Sequence, residues 1–134
     1  MEIINLTDEQ VSQLENQLED YDNAHMGQRT DGSIRIGITK NGQLIAGLDA
    51  CMTAYKILYV STVFVEPDFR RRGYGKALIA ALENRARELG ANMIRLDTFD
   101  CQGKSFYESL GYEIVGSYEN TEDDFSEYFF LKRL

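Results

Sequence analysis

Apolar and polar positions alternate along the chain in two rhythms. After Thr7, the residues Val11, Leu14, Leu18 and Tyr21 fall at helical spacing and predict a first helix ending near Tyr21. Thr7-Asp8-Glu9-Gln10 has the form of a capping box, in which the Thr7 hydroxyl accepts from the Gln10 amide and Gln10 reaches back. The rhythm then changes to period two. Residues 33–39 alternate, with Ile34, Ile36 and Ile38 on one face. Asn41-Gly42 is a two-residue hairpin signal, and residues 43–53 continue as the partner strand. Residues 57–65 are β-branched and aromatic and predict a further strand, which completes a three-stranded antiparallel meander.

Glu66-Pro67 stops that strand, because proline cannot donate to a ladder. From Tyr74 the pattern is helical through Leu78, Leu82, Arg85, Ala86 and Leu89, with Gly90 placed to end the helix. Residues 93–98 predict a strand, 105–110 a short helix closed by Gly111, and 112–118 and 125–131 two closing strands around the acidic turn 119–124. The middle of the chain therefore reads as a βαβ unit with parallel strands and a right-handed crossover, and the rest as antiparallel. The expected fold is α+β: one domain over residues 1–134, with a mixed sheet of six to seven strands, a central βαβ unit and helices on both faces.

The 134 residues and a hydrophobic fraction of 43% suit one core, and no apolar run approaches the roughly 20 residues of a membrane span. The N-terminus lacks the basic and apolar regions of a signal peptide, so a cytoplasmic location is the default expectation. Cys51 and Cys101 form no CxxC pair, and one histidine cannot complete a zinc site with them. Two reduced thiols and no metal are expected. A net charge of −8 disfavours nucleic acid as a partner. Against that background Arg70, Arg71 and Arg72 are the one basic cluster, which suits a local anionic ligand beside a cationic second substrate.

The cluster opens Arg70-Arg71-Arg72-Gly73-Tyr74-Gly75, between a strand and a helix. A pyrophosphate needs several converging donors. Backbone amides at a helix N-terminus supply them, glycines let the backbone come close, and guanidinium groups match phosphate oxygens. The bare motif reads equally as a tight turn with a solvated basic patch. A P-loop is excluded because Lys76 is followed by Ala77, and a dinucleotide fingerprint because Leu78 stands where a third glycine is needed.

With this loop, Val63-Phe64-Val65-Glu66-Pro67 before it, Lys76-Ala77-Leu78 after it and Phe106-Tyr107-Glu108-Ser109-Leu110-Gly111-Tyr112 further on, the chain resembles the GNAT superfamily of N-acetyltransferases over about residues 57–116. The resemblance implies acetyl-CoA as acyl donor and a V-shaped opening between the two parallel strands. There pantetheine would add to the edge of Val63, Phe64 and Val65, and the pyrophosphate would sit on Arg70 to Gly75 with Lys76 close by. Many members place an asparagine after the second parallel strand. Here the nearest amide is Gln102, while Cys101 and Gly103 depart from the family pattern.

The resemblance further implies direct attack of an amine on the thioester. Tyr107 is its candidate acid for the leaving thiolate, against the alternative of an aromatic packed on the sheet. Glu66 is a candidate base, against a solvated strand end. Asp97 and His25 are weaker candidates. The acidic residues near 19–22 and 119–124 could draw in a cationic small-molecule amine, and each run reads equally as a solubilising surface. Tyr128, Phe129, Phe130 and Leu131 are candidates for a homodimer contact or for a buried closing strand. The main rival function is a non-catalytic acyl-CoA sensor of the same fold, and behind it an interaction domain whose arginines meet an acidic partner.

Overall fold

The computed structural model describes residues 1–26, 31–100 and 103–134. In chain order the elements are α1 (Asp8–His25), β1 (Ser33–Lys40), β2 (Gln43–Met52), β3 (Ile57–Val65), a 3-10 turn (Pro67–Phe69), α2 (Tyr74–Glu88), β4 (Met93–Phe99), α3 (Lys104–Ser109), β5 (Glu113–Asn120) and β6 (Phe125–Arg133). The strands form one sheet in the order β1-β2-β3-β4-β6-β5. Only β3 and β4 run parallel; the other neighbours are antiparallel.

Local chemistry explains most boundaries. The Gln10 amide donates to Thr7 Oγ1 at 3.2 Å and the Thr7 amide to Gln10 Oε1 at 3.0 Å, so the capping box starts α1. The helix runs past Tyr21 to His25 because nothing in Asp22-Asn23-Ala24-His25 stops it. Asn41 and Gly42 both take positive φ, 53° and 76°, as a hairpin turn of this type requires.

The core lies between the sheet and α2. Leu78, Ile79, Leu82 and Ala86 on α2 pack with Ile34, Leu48, Leu58, Ile94 and Phe130 of the sheet. α3 lies on the same face, where Tyr107 meets Phe130 with ring centroids 5.8 Å apart. Lys132 ties the layers together: its ammonium pairs with the Glu83 carboxylate of α2 and donates to the Leu110 carbonyl at 2.8 Å. The mixed six-stranded sheet with its helices is the expected fold. α2 and α3 share a face, and α1 buries none of its residues, so among the described residues no buried helix face covers the opposite side of the sheet.

Candidate active site

β3 and β4 are in register only from Ile57 with Met93 to Tyr59 with Arg95. Beyond that the two strands part, and a cleft of about 930 Å³ opens between them. Val63, Phe64 and Val65 line one wall, Leu96, Asp97 and Thr98 the other. The Glu66 amide donates to the Ile45 carbonyl of β2 at 2.8 Å. Backbone groups alternate sides along a strand, so those of Val65, and of Val63 before it, turn away from β2 and into the cleft. The Val65 carbonyl is already engaged, accepting from Arg70 Nε at 2.8 Å. Its N–H group points the same way and has no partner strand there.

The loop from Pro67 to Gly73 bends sharply onto α2. Arg71 has φ +60° and Gly73 φ +88°. A side chain at Gly73 would meet nothing within 4 Å, so glycine is needed there for the backbone twist. Gly75 is glycine for another reason: a Cβ there would stand 3.2 Å from the Phe106 ring of α3. α2 begins with no side-chain cap and no acidic residue in its first turn. The first intrahelical bond is from the Ala77 amide to the Gly73 carbonyl, 3.0 Å, so the amides of Tyr74, Gly75 and Lys76 have no helical acceptor. Donors at the positive end of the helix dipole, with Arg71 and Lys76 beside them on the cleft wall, fit a pyrophosphate.

The three arginines have three different placements. Arg70 holds the Val65 carbonyl and lies over the Phe64 ring at 5.4 Å. Arg70 and Arg71 both line the cleft, and among the described residues Arg71 has no such backbone contact to β3. Arg72 lies outside the cleft lining, with its guanidinium over Phe69 at 5.6 Å.

Tyr107 also lines the cleft, on α3, and is only 8% exposed. Its ring packs against Phe106, Tyr112 and Phe130 at centroid distances of 5.1, 5.8 and 5.8 Å. Burial pushes its phenol up to about 12, so it is a protonated donor at neutral pH. Gly103, at φ +144°, starts α3, and a Cβ there would come within 3.6 Å of the Tyr107 ring. That is ordinary contact, so the glycine at position 103 is required by its backbone conformation and not by the tyrosine.

Glu66 is not on the cleft wall; it caps the 3-10 turn. The carboxylates that do line the cleft are Asp97 and Asp100. His25 stacks on Tyr21 at the end of α1, with ring centroids 4.0 Å apart. Gln102 lies outside the described residues. Sequence reasoning gave no role to Phe69, Lys104 or Phe106, all of which line the cleft. Their signal was weak: an aromatic beside arginines, a lysine entering a short helix, and a phenylalanine inside a motif chosen for its tyrosine.

The acetyltransferase (GNAT) family profile matches residues 2–112. Blasticidin-S acetyltransferase of Streptomyces morookaense is 30% identical over 96 residues, which cover 71% of this chain and 70% of that protein. The crystal structure of an acetyltransferase from Bacillus cereus ATCC 14579 overlays with a TM-score of 0.92 at 25% identity, covering 100% of this chain and 98% of that one. A structure from Bacillus anthracis str. Ames, in complex with acetyl coenzyme A, shares the fold at a TM-score of 0.68 and 21% identity, over 84% of this chain and 67% of that one. With a parted parallel strand pair, an uncapped helix start at Arg70–Gly75 and these matches, the chain belongs to the GNAT family and is an acetyltransferase.

Proposed function

We propose that the enzyme transfers an acetyl group from acetyl-CoA to a primary amine of a cationic small molecule by direct attack within the β3–β4 cleft. One observation carries this reading. The cleft presents a strand edge with the Val65 amide unpaired by β2, and the same cleft reaches the uncapped N-terminus of α2.

Each part of the wall has work to do in that reaction. The amides of Tyr74, Gly75 and Lys76 hold the pyrophosphate, and Arg71 and Lys76 offset its charge. The backbone of Val63 and Val65 extends pantetheine as an added strand. The Val65 N–H is placed to donate to the thioester oxygen as charge develops there. Tyr107, protonated throughout the neutral range, donates to the departing thiolate and is refilled from solvent. Asp97 and Asp100 give the cleft a negative wall, which favours a cationic acceptor and can take the proton it sheds. The similar protein of Streptomyces morookaense is named for blasticidin S, and a structural neighbour at 20% identity for aminoglycosides, which makes such small molecules the first acceptors to try.

The test is calorimetric titration with acetyl-CoA, with dephospho-CoA and ATP for comparison, followed by thiol release with blasticidin S, an aminoglycoside and a polyamine. Micromolar binding that weakens for ATP, with thiol release on at least one amine, is expected. No binding at millimolar acetyl-CoA overturns the site; binding without turnover on any amine leaves the sensor reading in its place.

A further inference from the structure

α1 is an amphipathic helix of which no residue is buried among the described residues. Val11, Leu14, Leu18 and Tyr21 form its stripe and are 42%, 53%, 61% and 61% exposed. Ile3, Ile4 and Leu6 extend the stripe at the N-terminus and are exposed as well. A helix of this length owes most of its stability to packing of that stripe.

The sheet has the complementary defect. On the face opposite α2, strand alternation places Gly37 beside Gly47 and Phe64, Cys51 beside Tyr59, and Leu131 and Phe129 along β6. Phe64 is 50% exposed and Phe129 37%. The paired glycines lower the floor there, and the exposed Leu44 side chain, which lies over Gly37, and Phe64, beside Gly47, give it an apolar surface. The 18 residues of α1 give a rod of about 27 Å, and six strands at about 4.8 Å span a similar width.

Surface area gives the scale. A compact monomer of 15.3 kDa exposes about 7,100 Å². This chain exposes 9497 Å², roughly 2,300 Å² more. That excess is of the order buried in obligate dimers. The overlay with the Bacillus cereus structure takes in the whole chain, and residues 1–26 are too large a share of it to lie elsewhere at that TM-score.

The geometry points to a reciprocal dimer in which α1 of each chain lies on the open sheet face of a second copy. One chain carries one donor stripe and one receiving face, so two copies satisfy each other under two-fold symmetry with nothing left over. α1 has six acidic residues and neither lysine nor arginine. The receiving face is mixed in charge, with Arg35 paired to Asp49 and with Asp97 and Glu127 along β4 and β6, so apolar surface carries the contact; Arg133 and Arg95, whose guanidinium lies over Tyr59 at 4.3 Å, are the cations it offers to α1. Phe64 and Asp97 belong both to that face and to the cleft wall, so the partner's α1 borders the opening. The dimer does not depend on which ligand the cleft takes.

Light scattering on the full chain tests it, together with the rate at which the Cys51 thiol reacts with a maleimide. Cys51 is exposed in the single chain, on the receiving face. A mass of twice 15.3 kDa and slow Cys51 labelling in a Cys101→Ser background are expected. Leu14→Glu with Leu18→Glu should give a monomer that keeps its sheet signal and labels at least about tenfold faster. Tyr21→Ser, a milder change, should raise the dimer dissociation constant about tenfold. A wild-type monomer with protected Cys51 means that α1 folds onto its own sheet and overturns the proposal. So does a double variant that stays dimeric, which would place the contact on the last strands.

Discussion

Arg70 donates its Nε–H to the Val65 carbonyl across 2.8 Å, while its guanidinium covers the Phe64 ring. The first arginine of the loop therefore fixes the end of β3, the strand whose amide faces the cleft, while itself lining that cleft beside Arg71. Arg70→Ala should weaken acetyl-CoA binding about tenfold, the scale of one lost charged hydrogen bond, by letting that strand end move. Arg70→Lys should not restore it, because an ammonium lacks the planar face and the fixed Nε direction. Arg72→Ala, outside the cleft, should change the affinity less than about threefold. Calorimetric titration of the three variants is the check.

In the proposed mechanism Tyr107→Phe removes the donor to the departing thiolate, and it keeps the ring that packs on Phe130. kcat should fall about 100-fold with KM for acetyl-CoA within about twofold. A phenol pushed up to about 12 stays protonated across neutral pH, so Tyr107 should produce no alkaline loss of activity below about pH 11. The sign for stability follows from the same shift. The native state binds the proton more tightly than the unfolded chain, whose tyrosine titrates near 10, so the contribution is complete below about pH 10 and is lost as pH rises toward 12. Melting curves of wild type and Tyr107→Phe between those values should converge as the pH rises.

Glu83 and Lys132 form the ion pair that joins α2 to β6, with side chains 10% and 26% exposed. Glu83→Ala leaves the ammonium with only the Leu110 carbonyl and should cost about 3 kcal/mol, a fall of about 10 °C in Tm. Combining Glu83→Leu with Lys132→Met removes both charges and should recover most of that loss. Thermal unfolding of both variants measures it.

Much of this fold was legible from local chemistry. Thr7 and Gln10 announced the start of α1, Asn41-Gly42 the first hairpin, and Gly90 the end of α2, because caps and turns depend on a few neighbouring residues. The loop at Arg70–Gly75 was legible as a basic, glycine-bearing turn between a strand and a helix, and the cleft wall at Val63–Val65 only through the family resemblance. The three arginines looked equivalent in sequence and are not, since their division depends on where the Val65 carbonyl and the Phe64 and Phe69 rings come to lie. Glu66 sat one residue from the right wall, and strand alternation turned its amide to β2. Gly75 is explained by Phe106, which reaches it only through the packing of α3, and Gly103 by its positive φ.

The sequence by itself determined the elements, their order and the one place where positive charge meets an uncapped helix, because periodicity, caps and charge are properties of short stretches of chain. Tertiary structure alone decided which strands part, which arginines line the cleft and which face of the sheet stays open. The apolar stripe of α1 was plain in the sequence, but periodicity says only that a helix has a face to bury. What that face meets is set by long-range geometry, and here none of its residues is buried among the described residues.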